Sequence, residues 1–165
     1  MIKLLGLLLV VGTGSMLGLH RAKQLQQQAA WLEALEGLLR SIQTEIRFLA
    51  PTLEQLLEEM QSRNAYDPLT FLSRTAAYQK QMPFGQAWCC AVRETCFHRE
   101  ARQILLQLGG ALGNSDIDGQ LAAIGLAEER VHVLLEDARQ QSREKGRLCT
   151  AMGTLLGTLA AILLA

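Results

Sequence analysis

Residues 25–51, LQQQAAWLEALEGLLRSIQTEIRFLAP, decide the fold. Leu25, Ala29, Leu32, Leu35, Leu39, Ile42, Ile46 and Leu49 follow one another in steps of three and four. That spacing puts every one of them on one stripe of an α-helix and would scatter them over both faces of a strand. The helix should stop at Ala50-Pro51, because a residue ahead of proline is pushed out of the helical region.

Working outward, the same period recurs in shorter runs. Thr52 with Gln55 has the form of a capping box, opening a short helix through Leu56, Leu57 and Met60. Asp67-Pro68 pairs a capping side chain with a first-turn proline, ahead of Leu69, Leu72 and Ala76. Met82-Pro83 opens a helix carrying Trp88 and Phe97, and Ile104, Leu105, Leu108 and Leu112 form another that stops at Gly113-Asn114. Ser115 and Asp118 then read as the cap of a long last helix through Ile117, Leu121, Ile124, Val131, Leu135 and Ala138. No segment alternates with period two. The expected class is all-α: two long helices plus three or four short ones in a bundle. Heptad-like stripes of this kind serve an intramolecular core in the first place, and a homo-oligomer stays open.

The two ends have a different composition. Ile2–Leu19 carries only Lys3 among charged side chains, and Leu148–Ala165 carries none. Eighteen residues of helix span ~27 Å, against a hydrocarbon core of ~30 Å. The expected organisation is therefore a transmembrane helix over 1–19, a cytoplasmic helical domain over 20–147 and a transmembrane helix over 148–165. The positive-inside rule gives the orientation: Arg21 and Lys23 follow the first stretch, while Arg139, Arg143, Lys145 and Arg147 precede the second. Gly14 with Gly18, and Gly153 with Gly157, have the small-xxx-small spacing that lets helices approach closely in lipid. Either the two stretches pair with each other or they dock on other membrane subunits. A cleaved export signal is the competing reading of the first stretch, although no Ala-x-Ala site follows it.

Composition excludes several functions. The 165 residues hold 16 basic and 16 acidic side chains, well mixed, so no basic surface points to nucleic acid. There is no Gly-rich phosphate loop, no HExxH and no GxSxG, and no small-molecule substrate or cofactor is expected. Cys89, Cys90 and Cys96 with His98 are the nearest approach to a metal or thiol site. Their spacing does not converge as structural zinc ligands do, so core packing is the expected role and no metal is assigned. A thiol enzyme built on these cysteines is a rival reading, as is an exported or membrane-attached helical binding protein.

Glu45-Ile46-Arg47-Phe48 with Pro51-Thr52-Leu53, the run Leu108-Gly109-Gly110-Ala111-Leu112-Gly113-Asn114-Ser115-Asp116, and the basic approach to a Gly-containing C-terminal stretch together resemble the stage III sporulation protein AB family. The resemblance covers essentially the whole chain. One departure is the order Pro51-Thr52-Leu53, where that family tends to have Thr-Pro-Leu. The resemblance implies a non-enzymatic membrane platform subunit, similar to the F protein of type II secretion machines. Such a subunit would sit in the mother-cell membrane around the forespore, within a channel complex of stage III sporulation proteins. Its cytoplasmic domain would meet an ATPase, stage III sporulation protein AA. Glu45 and Asp116, polar residues at helix junctions, are the expected contacts for that partner.

Overall fold

The first helix, α1, spans Ile2–Leu49, so it ends where the Ala50-Pro51 pair required. The computed structural model describes the backbone of residues 2–49, 52–96, 98–112 and 116–164, and side-chain surroundings for 23–48, 52–96, 98–112 and 116–144. The remaining elements are α2 (Leu53–Ser62), a 3-10 turn (Asn64–Tyr66), α3 (Phe71–Gln79), α4 (Phe84–Thr95), α5 (Arg99–Ala111) and α6 (Ile117–Leu164). Among the described residues there is no strand, and two long helices frame four short ones.

The transmembrane helix expected at each terminus is corrected. Among the described residues no helix is long and apolar enough to cross a membrane. Residues 2–19 and 148–164 are not separate elements: each stretch is part of a 48-residue helix that also carries the polar residues beyond it. Gly14, Gly18, Gly153 and Gly157 lie outside the residues whose side-chain surroundings are described.

The chain divides into two units, Trp31–Leu135 and a second made of Met1–Ala30 with Glu136–Ala165. In the first, the predicted stripe of α1 is the core: Leu32, Leu35, Leu39, Ile42 and Ile46 are all buried, joined by Leu38. From α6 come Ile124, Ala127, Val131 and Leu135. Three contacts fix how these two stretches run. His132 Nδ1 lies 2.9 Å from Glu36, Arg40 Nε donates to Glu128 at 3.1 Å, and a Cβ on Gly125 would stand 3.5 Å from Gln43 Nε2. Each step up α1 is matched by an equal step down α6, so within this unit the pair is antiparallel and in fixed register. In the second unit the described side chains include an ion pair of Arg139 with Glu136 at 3.0 Å and a hydrogen bond from Gln140 to Glu144 at 2.9 Å.

Three predicted boundaries move. Thr52 caps α2 as a full capping box, as expected, but α3 begins at Phe71 instead of Pro68. Asp67 closes the 3-10 turn, donating its N–H to Asn64 at 3.2 Å, because Tyr66 is buried and holds that turn against α1. Helix α4 stops at Thr95, with Cys96 extended at φ −84°, ψ 107°, so it does not reach Phe97, which lies outside the described residues. At α6 the cap is Asp116: its Oδ1 accepts from Gly119 N at 3.0 Å, while Ser115 lies outside the described residues. Ile117, predicted for the core stripe, is 52% exposed.

Trp88 of α4 anchors the short helices. Its ring meets Phe71 of α3 edge-on at 5.0 Å and Phe84 at 5.8 Å, and its Nε1–H donates to the Leu105 carbonyl of α5 at 2.8 Å. A buried indole needs that partner for its single polar atom. The hydroxyl of Thr75, also buried, donates to Phe71 O at 2.7 Å. Among the described residues no buried side-chain nitrogen or oxygen lacks a partner.

Candidate functional site

Glu45 lies one turn before the end of α1 and is drawn into structural work by Arg63, the residue that ends α2. Arg63 Nη2 donates to Glu45 at 2.9 Å and to Glu59 at 3.1 Å. The hydrogen bond to Glu59 first, and that to Glu45 next, hold the guanidinium pKa above its ordinary value against the opposing effect of burial. One residue group further, the Tyr66 hydroxyl is 2.6 Å from Ser41 Oγ and 3.3 Å from the Gly37 carbonyl. These contacts fasten α2 and the 3-10 turn to α1.

Asp116, exposed, caps α6 through Oδ1 and through its carbonyl, which accepts from Gln120 N at 2.9 Å. The register of α1 against α6 places Glu45 across from residue 123. Asp116 is therefore about two turns, ~10 Å, further along the same end of the body. Glu45 and Asp116 share an end, but the structure does not bring them together.

The run with the strongest family likeness, Leu108–Asp116, is chiefly a packing device. Leu108, Gly109 and Leu112 are buried. A Cβ on Gly109 would meet the Trp88 ring, and a Cβ on Gly85 would lie 2.8 Å from the Gly109 carbonyl. Two helices cross here at a distance only glycine permits. Residues 113–115 lie outside the described residues.

Among the described residues the cysteines form no reactive constellation. Cys96 is buried with its Sγ 3.6 Å from the His98 carbonyl, and Cys89 is half-buried with its Sγ 3.9 Å from the Leu106 carbonyl. Burial pushes both thiols up, away from the thiolate that nucleophilic chemistry needs. The His98 ring does not stand over either sulfur as a base; its Nδ1 accepts from Ala101 N at 3.4 Å and caps α5. Arg102 donates through Nε, at 2.7 Å, and through Nη2 to the Cys96 carbonyl and so secures the end of α4. Among the described residues no group of three or more His, Cys, Asp or Glu could hold a metal. Cys149 lies outside the described side chains.

Sequence reasoning missed a groove of about 400 Å³ between α2 and α3, whose floor includes Leu57 and Ala76 and whose α2 wall carries Glu54 and Glu58. The available signal was the four-residue spacing of those two acids on an amphipathic helix.

The stage III sporulation protein AB family model matches residues 3–165. No curated protein matches the chain. Among solved structures, one described as stage III sporulation protein AB is similar with a TM-score of 0.61 and 20% identity, over 68% of this chain and 94% of that one. At that identity the likeness speaks for the fold, and the family match for descent. A match that spans all but the first two residues, on a helical body of the same fold, makes this chain a member of the stage III sporulation protein AB family of sporulation proteins.

Proposed function

We propose that this chain is a non-enzymatic scaffold subunit of a secretion-like channel complex between mother cell and forespore, coupling an ATPase to the complex's membrane partners. The family match over residues 3–165 carries the reading, since it ties the whole chain to stage III sporulation. The cysteine chemistry supports a mechanical role: thiols held protonated by burial, with the neighbouring histidine spent on a helix cap. So does the build of the body. A displacement applied where α2 meets α1 is passed on by Arg63, which grips both helices, and an α-helix is stiff along its axis.

In this reading the complex lies at the mother-cell membrane around the forespore, and the helical body faces the cytoplasm. Its ATPase is stage III sporulation protein AA, and the end of the body holding Glu45 and Asp116 receives it. The test is a binding assay of the full chain against that ATPase. Asp116→Asn keeps a capping oxygen while removing the charge, and Glu45→Gln removes the charge at α1. Loss of binding by a folded variant supports the contact. Undiminished binding by both variants rejects this end as the seat, and no binding by the unaltered chain rejects the coupling.

A further inference from the structure

The groove between α2 and α3 has a composition that selects its occupant. Leu57, buried, and Ala76 give it an apolar floor. Glu54 and Glu58 stand one turn apart on the α2 wall, both exposed. Among the described residues neither carboxylate has an ion pair or a hydrogen bond, whereas that of Glu59 on the same helix is held by Arg63 at 3.1 Å. Two like charges at this spacing work against their own helix. Glu54 is in the first turn of α2, where a carboxylate is favoured, and the repulsion within the pair is relieved by a cation set between or against the two. Lys80 lines the groove at the end of α3, so the charge is acidic on one wall and basic on the other.

We propose that this groove, as a second contact beside the end holding Glu45 and Asp116, seats a basic amphipathic helix of the ATPase partner; this rests on the coupling reading above. Apolar side chains of that helix lie on Leu57 and Ala76. Its Arg or Lys residues, three or four apart, meet Glu54 and Glu58, with arginine able to bond a carboxylate through two parallel N–H groups. An acidic residue toward Lys80 fixes which way the helix lies. The groove is built on α2, the helix that Arg63 ties to Glu45 of α1. A pull on the seated helix therefore reaches the long helix directly.

The experiment measures binding of the purified ATPase to the full chain, unaltered and as Glu54→Lys/Glu58→Lys, over a series of salt concentrations. The expected result is an affinity that falls with salt for the unaltered chain and a loss of at least tenfold for the double reversal. Glu54→Gln/Glu58→Gln, which adds no repulsion, should lose a smaller factor and guards against misfolding of the reversed variant. If both variants bind as the unaltered chain does, the groove is not the seat although the coupling stands. If the unaltered chain does not bind the ATPase, the coupling fails and the proposal with it. If the reversal changes self-association of the chain in sedimentation and leaves ATPase binding intact, the occupant is a second copy and the proposal is overturned.

Discussion

A Cβ placed on Gly109 would lie 2.5 Å from Cδ1 of Trp88, so α5 crosses α4 with bare backbone pressed against the indole. The same ring bonds Leu105 one turn earlier at 2.8 Å, which fixes its orientation while Gly109 fixes its distance. Gly85 completes the crossing from the other helix, facing the Gly109 carbonyl.

Gly109→Ala should therefore destabilise the fold by about 1–3 kcal/mol, the usual cost of forcing a methyl into a packed site, lessened by alanine's better helix propensity. Gly110→Ala is the control. A Cβ there meets nothing within 4 Å, so the exchange should be neutral or stabilising by up to about 1 kcal/mol. Denaturant unfolding of the two variants decides. Equal effects would mean that the crossing is not tight.

That crossing also shows what could be read from the sequence and what could not. The stripe from Leu32 to Ile46 identified the α1 core because helical period alone determines which side chains share a face. The Thr52 capping box was legible for the same reason: it is a local pattern. The Leu108–Asp116 run was visible as a family likeness, yet its physical meaning depends on Trp88, some twenty residues away. Tyr66 moved the start of α3 by bonding Ser41 across 25 positions of chain, which no local signal at Asp67-Pro68 records. The terminal stretches were read from apolarity alone, and the continuous helices Ile2–Leu49 and Ile117–Leu164 do not stop where that apolarity does. Glu45 and Asp116 were singled out as polar residues at junctions. Each proves to be holding its junction together.

Arg63 joins two carboxylates on two helices while remaining 38% exposed at its side chain. Water and salt weaken such a pair, so Arg63→Ala should cost about 0.2–1 kcal/mol, and less at high salt. Glu45→Gln should cost no more than that. The comparison matters for binding assays: a small, salt-dependent loss of stability from Glu45→Gln cannot by itself abolish partner binding. A melting temperature unchanged by Arg63→Ala at low salt would show that the bridge contributes nothing.

Burial raises the thiol pKa of Cys89 and Cys96 above the ordinary 9.0. The folded chain thus holds their protons at a pH where the unfolded chain releases them. Stability from this source is complete below the ordinary thiol range and is lost as pH rises through it toward the raised folded values. Alkylation should follow the same sign. At pH 8 both thiols should react more slowly in the folded chain than in denaturant, Cys96 the more so, with the folded rate climbing as pH increases. Fast, pH-independent labelling of Cys96 would contradict its burial.

His98 caps α5 with a ring nitrogen, an unusual choice where Ser, Asp or Asn is the common solution. Its Nδ1 accepts from Ala101 N at 3.4 Å, a long bond, in a backbone conformation (φ −78°, ψ 110°) suited to a capping residue. His98→Ala leaves that N–H without its side-chain acceptor at the junction where Arg102 also closes the end of α4. The expected loss is about 0.5–1 kcal/mol. His98→Asn places a carbonyl oxygen in the same role on a shorter side chain, so it should match or exceed the stability of the unaltered chain. Thermal unfolding of the pair separates capping from packing. Equal losses for Ala and Asn would mean that the ring is needed for its contacts with neighbouring atoms and not for the hydrogen bond it accepts.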